Sequence, residues 1–136
     1  MSDFNYSVDE NKIASLIWDV KDNSMNVLSM QGINDLERIV NEITNNDEIR
    51  GIVFISKKKD FSAGADLNMI NELGNEKNNT SKKDTFDQIM RIHKILRKLE
   101  TSGNNDVIKK KIKPVVWACN GISAGIGTEI GLACHY

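Results

Sequence analysis

An α/β fold with parallel strands is predicted by three observations. Segments of strand length occupy residues 12–20, where apolar residues alternate, and 51–56 and 114–119, which are apolar runs. Amphipathic segments at helical spacing alternate with them. Each link from one strand to the next is long enough for a helical crossover.

Residues 12–20 place Ala14, Leu16, Trp18 and Val20 on one side and Ile13, Ser15, Ile17 and Asp19 on the other, the period of a strand. Lys21-Asp22-Asn23-Ser24 is a turn. Over residues 29–44, Met30, Ile33, Leu36, Val40 and Ile43 recur at helical spacing with charges between them. Ser29 suits the N-cap, and Asn45-Asn46-Asp47 ends the helix. Residues 51–56 are continuously apolar, as expected of a strand buried on both faces. A basic turn, Lys57-Lys58-Lys59-Asp60, leads into Phe61-Ser62-Ala63-Gly64-Ala65-Asp66-Leu67, whose centre is small. Residues 71–83 are polar and predicted to be mobile. Residues 84–99 form an amphipathic helix through Phe86, Ile89, Ile92, Leu96 and Leu99. A lysine-rich polar connection, 101–113, leads to a third buried strand at 114–119. After Asn120-Gly121 and Gly125-Ile126-Gly127 comes Glu129, and residues 130–136 read as the start of a helix. There are no repeats and no interdomain linker. The apolar character of 130–136 predicts that residues 1–136 are the N-terminal part of one domain.

Composition narrows the function classes. The 136 residues are 40% hydrophobic and 27% charged, with net charge -1, so no basic field exists to attract nucleic acid or anionic lipid. No window approaches the ~20 apolar residues of a membrane span, and the N-terminus has no signal-peptide pattern; a cytoplasmic protein is expected. Cys119 and Cys134 lack CxxC spacing and are expected to be buried free thiols, with no metal site.

Both small-residue segments follow a predicted strand, where α/β sheets bind ligands. Ala63-Gly64-Ala65 offers backbone N–H groups, as does Gly125-Ile126-Gly127 at a helix start. Two N–H groups converging on one carbonyl oxygen make an oxyanion hole, and Glu129, one turn on, suits proton transfer. Taken alone these signals are weak. Ordinary tight turns, and a carboxylate placed for the helix dipole, are the plainer readings.

The combination is more specific. Phe61-Ser62-Ala63-Gly64-Ala65-Asp66-Leu67 resembles the F-x-A-G-A-D-[IL] segment of the crotonase (enoyl-CoA hydratase/isomerase) family. Lys113-Pro114-Val115-Val116, Asn120-Gly121, Gly125-Ile126-Gly127 and Glu129 together resemble its second signature. Asn26-Val27-Leu28-Ser29 is similar to its first acyl-CoA-contacting loop. The resemblance runs over residues 4–136. The Asn26-to-Ser29 wording and the Leu132-Ala133-Cys134-His135-Tyr136 ending are most similar to the hydratase half of multifunctional fatty-acid-oxidation proteins.

The resemblance implies a crotonase-like β/α spiral, incomplete at the C-terminus, that hydrates trans-2-enoyl-CoA to 3-hydroxyacyl-CoA. Ala65 and Ile126 would supply the oxyanion N–H donors, and Glu129 would be the first of two glutamates that handle the water. Met25, Val27, Ala63, Gly64, Asp66, Leu67 and Gly125 would line the path of the acyl-CoA thioester. It implies no metal and no cofactor for this domain, since CoA is carried on the substrate. It also implies NAD for a downstream 3-hydroxyacyl-CoA dehydrogenase domain, and a homotrimer or a thiolase-containing complex.

Two departures stand out. The family usually has glycine where this chain has Ile126, whose branched side chain is expected to narrow the acyl pocket and which cannot adopt positive φ. The second glutamate would fall past Tyr136, so residues 1–136 alone are expected to fold poorly and to lack turnover. Alternatives within the family are Δ3-Δ2-enoyl-CoA isomerases, hydrolases and dehalogenases. Outside catalysis, the alternative is an acyl-CoA-binding or interaction module with a decayed site. Glu129 favours a hydratase or hydratase–isomerase. His93 is expected at the surface, and His135 is given no role. Lys57-Lys58-Lys59 is expected as a solvated turn or near the CoA phosphates, Trp18 and Trp117 in the core, and Asp66 as an orienter of its loop.

Overall fold

The structure, a computed structural model, describes residues 2–74, 81–103 and 112–136. Its elements are β1 (Phe4–Val8), β2 (Ile13–Trp18), β3 (Val27–Leu28), α1 (Met30–Asn45), β4 (Gly51–Ser56), β5 (Gly64–Ala65), α2 (Leu67–Gly74), α3 (Lys82–Glu100), β6 (Val115–Ala118) and α4 (Ile126–Leu132). A four-stranded sheet has the order β1-β2-β4-β6, and β3 and β5 form a separate parallel pair. As the alternating pattern predicts, β2, β4 and β6 run parallel, joined by helical crossovers. Ile13 lies opposite Gly51, and Ile52 opposite Val115.

Period two in β2 buries Ala14, Leu16 and Trp18. α1 covers that side with Ile33, Leu36, Ile39, Val40 and Ile43. Ser29 caps α1, its Oγ accepting from the Gly32 N–H at 3.0 Å. At the other end Lys113 Nζ donates to the carbonyls of Ile43, Thr44 and Asn46 at 3.0, 2.8 and 2.7 Å. A cation there satisfies orphan carbonyls and complements the helix dipole. An aromatic cluster of Phe4, Trp18, Phe54 and Phe61 occupies the centre, with Phe61 5.6 Å from Phe54 and 5.5 Å from Trp117. Trp18 is core, as expected, and Trp117 packs at its edge.

Several expectations need correcting. β1 is a strand the pattern reading passed over, and it pairs antiparallel with β2. Its alternation of Phe4, Tyr6 and Val8 is diluted because only Phe4 is fully buried. Residues 114–119 do not form a strand buried on both faces. Among the described strands β6 is at the edge of the sheet, with Ala118 and Cys119 exposed. Cys119 is therefore not a buried thiol. Cys134 is half-buried, and burial pushes its thiol up to about 11. The polar reading of 71–83 missed that 71–74 complete α2, while 75–80 lie outside the described residues, as does 104–111 of the lysine-rich connection. α3 is longer than expected and carries a capping box of Ser81 and Asp84. Its apolar face is only half used: Ile95 and Leu99 are buried, while Phe86 and Ile89 are 60% and 46% exposed. The last helix begins earlier and stops at Leu132; the His135 and Tyr136 N–H groups donate instead to Val115 O.

Candidate active site

The site is built on one buried side chain. Asn26 is fully buried, and its carboxamide reaches three segments. Its Oδ1 accepts the Val20 N–H at 3.0 Å. Its Nδ2 donates to Trp18 O at 3.2 Å, Ser56 Oγ at 2.9 Å and Phe61 O at 3.1 Å. The ends of β2 and β4 are thereby tied to the start of the loop ahead of β5. The Asn26 carbonyl accepts the Ala63 N–H at 2.8 Å and the Ser62 hydroxyl at 3.2 Å.

Ser62, also fully buried, connects that loop to the one ahead of α4. Its N–H donates to Ile122 O at 3.2 Å, its carbonyl accepts the Ala124 N–H at 3.0 Å, and its Oγ accepts the Gly64 N–H at 3.0 Å. On the far side Asn120 Nδ2 donates to Lys58 O and Lys59 O, and Asp60 Oδ1 accepts the Ile122 N–H at 2.8 Å. The two loops thus grip each other along their length.

Their closest approach needs glycine. Gly64 has φ +104° and Gly125 φ +49°, conformations open to glycine. A Cβ on Gly125 would lie 3.6 Å from Gly64 Cα. Gly127 faces Ser62 so closely that a Cβ would come within 2.5 Å of the Ser62 Cβ.

Two backbone donors flank that contact. The Asp66 N–H pairs with Leu28 O at 2.9 Å, so strand alternation turns the Ala65 N–H to the opposite edge of β5. Ile126 opens α4, where the helix supplies its N–H with no acceptor. Glu129 is exposed in the first turn of α4.

A cleft of about 600 Å³ opens beside β5, lined by Asn23, Ser24, Met25, Val27, Ala63, Ala65, Asp66, Leu67 and Asn68. Of the predicted site residues it gathers Met25, Val27, Ala63, Ala65, Asp66 and Leu67. Gly64 in β5, Gly125 at the cap of α4, and Ile126 and Glu129 in its first turn do not line it. The Ile126 side chain is 9% exposed and packs in the hydrophobic core. Ile126 was expected to narrow the acyl pocket; among the described residues its side chain points into the core and does not line this cleft. Asp66 orients its own segment, its Oδ1 accepting the Asn68 and Met69 N–H groups at 2.8 and 3.1 Å as the cap of α2. The polar wall of Asn23, Ser24 and Asn68, and the bridging roles of Asn26 and Ser62, were missed by sequence reasoning.

Lys58 is not part of a solvated turn. It pairs with Asp19 at 3.1 Å, with 17% of its side chain exposed. Lys21 hydrogen-bonds the other Asp19 oxygen at 2.8 Å. That bond first, and Lys58 second, hold the Asp19 carboxyl below its ordinary range. A folded pKa below the unfolded one adds stability above about pH 4, which is lost as pH falls through the folded value. Asp19→Asn should flatten the acid limb of the stability profile. Urea midpoints between about pH 2 and 6 measure this; an unchanged slope in the variant would count against the pair.

Comparison with known proteins gives a concordant result. Residues 20–136 match the family model described as enoyl-CoA hydratase/isomerase. The fatty acid oxidation complex subunit alpha of Idiomarina loihiensis is 32% identical over 133 residues, 97% of this chain and 17% of the relative. The protein of the same designation from Shewanella sp. (strain ANA-3) is 34% identical over the same span. The chain thus covers about a sixth of these curated relatives. An enoyl-CoA hydratase from Shewanella pealeana shares the fold with a TM-score of 0.81 at 14% identity, over 98% of this chain and 44% of that one. No helix among the described residues is long and apolar enough to cross a membrane.

Proposed function

Because this chain belongs to the enoyl-CoA hydratase/isomerase family, we propose that it is the N-terminal part of a domain that hydrates trans-2-enoyl-CoA within a longer, cytoplasmic fatty-acid-oxidation protein. The observation that carries this reading is the meeting of Gly64 and Gly125 beside the cleft. It brings the segments bearing the Ala65 and Ile126 N–H groups together where an acyl thioester lying in the cleft presents its carbonyl.

Water adds across the C2–C3 double bond. Its oxygen bonds to C3, the π electrons move onto the thioester oxygen, and C2 then takes a proton. The two N–H groups stabilise the developing enolate oxygen, each worth about 3 kcal/mol. Glu129 orients the water and carries its proton, and a second carboxylate from outside these residues completes the acid–base pair. Met25, Val27, Ala63, Asp66 and Leu67 line the acyl-CoA path. CoA arrives on the substrate, and NAD belongs to a further dehydrogenase domain. The longer protein assembles as a trimer or with a thiolase; the curated relatives' designation as complex subunits supports an assembly as such.

The test follows the conjugated absorbance of a short trans-2-enoyl-CoA exposed to the full polypeptide. Its loss, with equal formation of 3-hydroxyacyl-CoA, is expected. Shift of a Δ3 double bond without hydration would reassign the site to isomerisation. Binding without turnover would make it a carrier module.

A further inference from the structure

We infer that Ser62 is a positioning residue whose hydroxyl fixes the aim of the peptides leading into Ala65 against an Ile126 loop that its main chain holds in place; the inference rests on the acyl-CoA reading above. Ser62 is fully buried: its hydroxyl ties its own segment to the Asn26 loop, and its main chain ties that segment to the loop ahead of α4. The hydroxyl donates to Asn26 O at 3.2 Å and accepts the Gly64 N–H at 3.0 Å. Its main chain pairs with Ile122 and Ala124. One residue thus holds the peptide just ahead of Ala65 on one side and the strand entering Gly125 on the other. Its Cβ sits against Gly127, fixing the depth at which α4 begins. A hydroxyl that donates to the Asn26 loop while accepting from Gly64, two residues further along its own, has one geometry that satisfies both. Losing it leaves the Gly64 N–H buried and unpaired, and that peptide turns to seek another acceptor. An oxyanion hole is sensitive to such a turn, because its donors act only when aimed at the developing charge.

The experiment uses the full polypeptide with Ser62→Ala. Two readouts matter: the split between kcat and KM, and the carbonyl stretch of a bound isotope-labelled acyl-CoA thioester. Wild-type protein should lower that stretch relative to the ligand in water. Ser62→Ala should recover much of the free-ligand frequency and reduce kcat roughly 10- to 100-fold, with KM little changed. A purely structural hydroxyl lowers the unfolding temperature and leaves the bound carbonyl where wild type puts it, and that result overturns the inference. No carbonyl shift and no turnover in wild type would instead overturn the acyl-CoA reading. If Ser62→Ala does not fold, Ser62→Cys keeps a weak donor in similar volume. It should then give an intermediate frequency; a wild-type frequency and kcat would overturn the inference.

Discussion

Asn26→Leu should cost a large part of the stability of this chain. Leucine is close to asparagine in size, but it leaves the Val20 N–H and the Phe61 carbonyl without a partner, while the Trp18 carbonyl keeps only the Lys57 N–H. Each buried group stripped of its hydrogen bond costs about 1–3 kcal/mol. The sum over the two orphaned groups, roughly 2–6 kcal/mol, compares with a total stability of about 5–15 kcal/mol for a domain. Asn26→Asp keeps an acceptor for Val20 but sets carboxylate oxygens against Trp18 O, Ser56 Oγ and Phe61 O. That carboxyl is favoured in its protonated form, so its folded pKa lies above the unfolded one. The variant should regain stability as pH falls and lose it as pH rises. Urea unfolding followed by Trp18 and Trp117 fluorescence measures both. A Leu variant within about 1 kcal/mol of wild type would show that the network contributes little.

Ile126→Pro should abolish most of the turnover of the full polypeptide while leaving the fold in place. Proline suits the first position of a helix, where its missing N–H has no helical acceptor to lose. It removes the proposed donor and little else of the backbone. Gly125, at φ +49° and ψ -126°, already sits in the mirror image of the extended region that precedes proline most readily. Loss of one oxyanion donor costs about 10²- to 10³-fold in kcat. The buried side chain also shrinks, so Ile126→Val serves as the control. It retains the N–H and costs only about 0.5–1.5 kcal/mol of stability. Comparable kcat losses in the two variants would mean that core packing, rather than the N–H, governs the rate.

How much of this was legible in the sequence depended on the range of the interaction involved. β2, α1 and β4 follow from the local pattern, and β2 and α1 bury the faces it predicts; β4 is not buried on both faces as expected, since Val53 and Ile55 are only half-buried. The two glycine-bearing loops were visible as small-residue segments after strands. Their pairing, and the residues of the cleft, came from family resemblance. β1 and the exposed edge of β6 were not legible, because burial there depends on which strands lie alongside. The core position of Ile126 depends on how α4 enters, which Gly127 and Ser62 decide across 65 positions of chain. Asn26 and Ser62 look like ordinary loop polar residues until the carbonyls around them are in place. A buried hub of this kind has no local signature.

The most direct test of the central claim is a crystal structure of the protein carrying this sequence with a saturated acyl-CoA thioester, which cannot be hydrated. The account predicts the thioester oxygen about 3 Å from both the Ala65 and Ile126 nitrogens, with the CoA arm running past Met25, Asp66 and Leu67. A thioester oxygen bonded to neither nitrogen, or a ligand seated away from this cleft, would contradict it.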